Sequence, residues 1–106
     1  MPVVSTAWTK IESKLQDGSA DALRLAIVEA DGIVDGVLKK MGLSGETFAD
    51  RLGHLKPEKY STLDKLWDAH RVRNNLVHTP DFHVPTIKAE EAIAAYEAFL
   101  KEAKAL

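Results

Sequence analysis

The sequence predicts an all-α fold, an antiparallel bundle of about four to five helices in a single domain spanning residues 1–106. Three observations point there. Apolar residues recur at spacings of three and four in several successive segments. Cap and stop residues bound most of those segments. No run alternates as a half-buried strand does; only Phe82-His83-Val84 is even locally extended.

The first helix is expected over Ser5 to Gln16, capped by Ser5 or Thr6, with Trp8, Ile11 and Leu15 on its inner face and Asp17-Gly18 as the stop. Ser19 caps the second, which runs to about Met41 before Gly42. Its stripe is Leu23, Ile27, Ala30, Val34, Val37 and Met41, widened by Leu25, Val28, Ile33 and Leu38. A helix this apolar is central in a bundle or lies at a dimer interface. Gly32 and Gly36 each cost it about 1 kcal/mol against Ala. Close approach of another backbone would account for them, and so would a tolerated weakness.

A short third helix opens at Ser44-Gly45-Glu46-Thr47 and buries Phe48 and Leu52. The fourth is expected from Ser61, where Ser61 and Asp64 imitate a capping box. Leu63, Leu66, Trp67, His70, Asn74 and Val77 share one of its faces, and Pro80 ends it near Val77 or His78. The last runs from Thr86 to about Lys104, with Ile87, Ile93, Tyr96, Phe99, Leu100 and Ala103 inward. The count is three long or medium helices and two short ones.

Composition excludes several functions. Cysteine is absent, so disulfides and thiolate metal sites are too. No apolar run approaches the ~20 residues of a membrane span, and the start lacks the pattern of a secretory signal; a cytoplasmic location is expected. Net charge is −2, and residues 54–106 carry 8 basic and 8 acidic groups, so no global basic field favours duplex DNA. No phosphate-cradling glycine loop and no Gly-flanked nucleophilic serine are present. His70 and His78 lie about 80° apart on a helix, with no second ligand four residues from either, so no metal is expected. No cofactor is expected either.

The chemistry concentrates at the end of the fourth helix. The stretch 70-HRVRNNLVHTPDFH-83 holds three of the four histidines. Arg73 can hold a phosphate with two donors. His78 titrates near neutrality and can move a proton between oxygens. Together they suffice for metal-free RNA cleavage: the 2′-hydroxyl attacks, His78 transfers a proton, and Arg73 steadies the developing charge. Asn74 can orient the imidazole or bind ribose. His83 lies in the following loop, near enough to contact substrate.

Arg73-Asn74-Asn75-Leu76-Val77-His78 resembles the signature of the HEPN superfamily: an Arg, a polar residue, and a His four to six positions after the Arg, at a helix end. Residues 26–35 and 66–74 also resemble small bacterial HEPN-type proteins, so the likeness covers about residues 20–104. It implies an all-α domain that commonly pairs into a homodimer, with two signatures facing one cleft. It implies a metal-independent endoribonuclease, often a toxin controlled by an antitoxin protein or a defence component. The alternative is a non-catalytic dimeric module that binds RNA, a nucleotide or a protein partner.

Each residue also has a structural alternative. Arg73 can pair with Glu29 or Asp31 of the second helix. His78 can cap the helix C-terminus, where the dipole favours a cation. Asn74 can satisfy backbone groups, and His70 can be a buried, hydrogen-bonded histidine. Arg71 and Lys65 fit a solvated surface, and Trp8 and Trp67 fit the core.

Overall fold

The computed structural model describes residues 1–106 and contains five helices and no strand. They are α1 (Pro2–Asp17), α2 (Ala20–Lys40), α3 (Phe48–Leu52), α4 (Leu63–His78) and α5 (Thr86–Glu102). α2 is the hub, packed on α1, α5, α3 and α4. Polar contacts give the directions. Only Gly18 and Ser19 separate α1 from α2 and Lys14 meets Glu29, so the chain reverses and the two helices run antiparallel. Asp31 meets His70 while Arg24 meets Leu76, so α2 and α4 are antiparallel as well. Ser61 and Thr62 meet Glu102, which sets α5 antiparallel to α4.

The core joins Trp8 and Ile11 of α1, Ile27, Val34 and Leu38 of α2, Leu52 of α3, Leu66 of α4, and Tyr96, Phe99 and Leu100 of α5. The inner stripe of α2 is buried as its spacing predicts, apart from Met41 at its end. Leu25 is 49% exposed on the opposite side. A Cβ built at Gly32 or Gly36 would meet no atom within 4 Å. No backbone approaches these glycines within one chain, so each weakens α2 by about 1 kcal/mol without a contact in return.

Helix ends differ from expectation where distant groups decide them. α1 starts at Pro2, not Ser5, because proline fits the first helical position and Met1 supplies the capping carbonyl. Ser5 and Thr9 then bond back to carbonyls four residues earlier. At the other end Gly18, at φ 73°, closes the helix in the left-handed conformation. α4 starts at Leu63, not Ser61, and the Ser61–Asp64 capping box does not form. The carboxylate of Glu102 instead accepts from both hydroxyls and both backbone N–H groups of Ser61 and Thr62, at 2.8–3.1 Å. α5 ends at Glu102, two residues early, and Lys104 turns the chain at φ 60°.

Besides Leu25 and Met41, two more residues expected inside lie outside. Ile87 is 60% exposed and Val77 41%. Each sits in a terminal turn, beyond the reach of the neighbouring helices. The connection between these turns makes no strand, although Val84 is buried. Gly45 adopts φ 143°, and a Cβ there would strike Asp50, so the turn into α3 requires glycine.

The Glu102 clamp makes the fold acid-sensitive. Hydrogen bonds from Thr62 and Ser61 lower its pKa from 4.5 to about 2. A depressed carboxylate stabilises the fold above its unfolded pKa and loses that contribution as pH falls through the folded one. Glu102→Gln should therefore unfold more easily than wild type at neutral pH, and the gap should close between pH 4.5 and about 2. Urea titrations across that range check this.

Candidate functional site

Asp31 of α2 is 4% exposed and lies within the buried stripe between Ile27 and Val34. Its Oδ2 accepts from the Tyr96 hydroxyl of α5 at 2.7 Å. It also lies 2.8 Å from Nδ1 of His70 on α4. A carboxylate oxygen can only accept, so Nδ1 donates. Its Oδ1 faces Nε of Arg73 at 3.7 Å, an ion pair too long for a hydrogen bond. One carboxylate of α2 thus gathers groups from two other helices.

The ring of His70 is held on its other sides too. It stacks on Phe48 with centroids 4.1 Å apart and planes 10° apart. Trp67 meets it edge-on at 6.5 Å. His70 is the buried, hydrogen-bonded histidine of the two readings that the sequence left open. Its burial places it behind Arg73 rather than at the surface.

Arg73 is 30% exposed. Its Nη1 donates to Asn74 Oδ1 at 3.1 Å, and its Nε is buried with no hydrogen-bond partner. The inner edge of the guanidinium thus faces Asp31 as an ion pair without a hydrogen bond, and Nη2 donates to no group of the chain. Asn74 is half-buried and accepts from Arg73; it makes no bond to His78. His78 occupies the last turn of α4, exposed, and its imidazole makes no hydrogen bond in the chain. His83 is exposed in the connection to α5.

Glu29 does not join this group. It points to the other side of α2 and pairs with Lys14 of α1 at 2.9 Å. Two residues along a helix turn the side chain by about 200°, so Asp31 and Glu29 cannot serve the same neighbour. Arg71 pairs with Asp68 on the surface, and Lys65 is exposed. Trp8 is buried and donates from its indole to Glu97 at 3.2 Å; Trp67 is partly buried against the core.

Sequence reasoning missed three members of the site. Tyr96 reads as core from its spacing, and its hydroxyl contact spans 65 residues. Phe48 likewise reads as a simple core residue. Arg24 donates to the carbonyl of Leu76 at 2.6 Å and so caps the last turn of α4 from a distance. That bond fixes where His78 begins. No group of three or more His, Cys, Asp or Glu side chains that could hold a metal is present. No helix is long and apolar enough to cross a membrane.

The chemistry within reach is that of one anchored cation, an amide beside it and an unengaged imidazole five residues further along the same helix. Burial, followed by the nearby Asp31 charge and the bond to it, pushes the Tyr96 hydroxyl well above its ordinary pKa of 10.0. No protein-family model matches the chain, and no curated protein or solved structure matches it.

Removing Asp31 strands a buried donor set. Asp31→Ala should cost about 3–5 kcal/mol of stability, as for other broken buried ion pairs. Tyr96→Phe should cost about 1.5–3 kcal/mol near neutrality, the range for a hydrogen bond to a charged group. Wild type should also lose stability as pH rises above 10.0, because the unfolded tyrosine ionises there while the folded one keeps its proton. Tyr96→Phe should shrink that loss. Denaturant titrations at neutral and alkaline pH measure both effects.

Proposed function

We propose that the chain is a HEPN-type, metal-independent endoribonuclease of the cytoplasm, acting as a toxin or defence component. The observation that supports this best is the state of Arg73. Its inner edge faces the charge of Asp31, Nη1 is tied to Asn74 while Nη2 has no partner, and the free imidazole of His78 follows on the same helix. Fixed cations matter because stabilisation of developing charge is largest where the donor needs no rearrangement.

In this reading Arg73 binds the phosphodiester through its outer edge. The ribose 2′-oxygen attacks phosphorus, and the bond to the 5′-oxygen breaks. His78 supplies or removes the proton, leaving a 2′,3′-cyclic phosphate and a 5′-hydroxyl. Asn74 keeps the guanidinium turned outward. No contact joins Arg73 to His78 within one chain, so the reading calls for a homodimer in which a partner completes the site. An antitoxin protein would act by covering it. No metal and no cofactor take part.

A second reading has its own support. Asp31 offsets much of the Arg73 charge, Asp68 and Asp81 lie close by in sequence, and the net charge is −2. Such a surface fits a non-catalytic module for RNA, a nucleotide or a protein partner.

The deciding measurement is cleavage of a mixed RNA pool in EDTA, with end-group analysis. Arg73→Ala and His78→Ala should each lower the rate by about 10²–10⁴-fold while leaving the far-UV spectrum unchanged. Cleavage that survives both changes rules out a nuclease built on Arg73 and His78. Absence of cleavage with Arg73-dependent RNA binding assigns the binding module.

A further inference from the structure

The outer face of α2 is left without a partner. At 3.6 residues per turn, Asp21, Leu25, Val28, Gly32, Gly36 and Lys39 fall on a strip about 80° wide. Asp21, Leu25, Gly32, Gly36 and Lys39 are exposed, and Val28 is half-buried. An open groove of about 690 Å³ borders the strip at Gly32, with Val3 of α1, 77% exposed, on its far wall.

The order of residues along this strip is complementary to its own reverse. A turn about a point near Ala30 exchanges the two ends. Leu25 then faces Gly36, Val28 faces Gly32, and Asp21 faces Lys39. Bulk meets absence of bulk at two of these pairings, and acid meets base at the third. Both glycines have open space where a side chain would be. The charge order alone also suits the dipole of a single helix. The pairing of bulky with missing side chains does not follow from the dipole.

We propose that this face of α2 binds the same face of a second copy of the chain, antiparallel and about a two-fold axis near Ala30. The interface is isologous, so each pairing occurs twice. Leu25 of one copy fills the space over Gly36 of the other, and Lys39, 61% exposed and only loosely paired with Asp35 at 3.8 Å in its own chain, meets Asp21 across each end. Arg73 lies against Asp31, beside the axis. The assembly therefore brings two Arg73 groups toward one centre, which deepens the nuclease reading and rests on its need for a homodimer.

Sedimentation equilibrium on the full chain at micromolar concentration tests this, with RNA cleavage followed separately. Wild type should be a dimer. Asp21→Lys and Lys39→Asp should each weaken it by about tenfold or more, since like charges then face each other twice. The double reversal Asp21→Lys, Lys39→Asp should restore it to within about threefold of wild type. A dipole role alone would instead leave the double variant worst of all. Gly36→Gln should abolish the dimer while raising the thermal midpoint of the monomer, because it replaces a helix-weakening residue in open space. A monomeric wild type overturns the proposal. So do single reversals without effect, or a double reversal that fails to restore the dimer. Cleavage by a dimer unaffected by these changes would retain the nuclease and reject this interface, whereas a dimer that responds as stated but never cleaves would do the opposite.

Discussion

A carboxylate buried in the middle of the central helix sets the terms for the rest of the molecule. Taking the charge of Asp31 out of water costs several kcal/mol unless nearby donors replace the lost hydration. Tyr96 and His70 do so directly, and Arg73 supplies opposite charge at 3.7 Å. These donors come from α5 and α4. Sliding either helix by one turn along α2 would separate its donor from Asp31 and strand a buried polar group. Leu66, Phe99 and Leu100 would tolerate neighbouring registers, since apolar contact is not directional. The polar contact selects one.

The same contact has a consequence for reactivity. An arginine paired behind its binding edge loses part of its long-range pull on phosphate but gains a fixed direction. Here Asp31 takes the inner edge, Asn74 takes Nη1, and the rest faces outward. His70 cannot move to offer a second cation, because Phe48 and Trp67 enclose its ring and Asp31 holds Nδ1. Of the two histidines on α4, only His78 therefore faces solvent. Its position is set by Arg24, which binds the Leu76 carbonyl two residues before it.

The five helices are legible in the sequence because spacing at three and four reports a buried stripe, whatever the stripe packs on. Their ends are less legible where the capping group comes from far along the chain. The α4 start depends on Glu102, some 40 residues away, and no local pattern around Ser61 contains it. The site divides in the same manner. Arg73, Asn74 and His78 stand out by type and spacing within one helix. The sequence offers both Asp31 and Glu29 as partners of Arg73, and the apolar stripe already separates them. Asp31 falls four residues after Ile27 and three before Val34, inside the stripe, while Glu29 falls behind it. Tyr96 carried no such signal, because its ring alone explains its place in the core.

α2 therefore carries two surfaces with different physical demands. Its inner face must present one acid among Ile27, Ala30 and Val34, and it accepts the desolvation cost because the acid aligns two other helices. Its outer face has no such task within one chain, yet it holds Leu25 exposed and two glycines that weaken the helix. An unpartnered helix would be more stable with alanine at those positions and a polar residue at 25. The departure from that optimum lies about 100° around the helix from Asp31 at nearly the same height. A helix that orders Arg73 from one face and meets its own copy with the other would couple assembly to the geometry of the candidate site through a single rigid element.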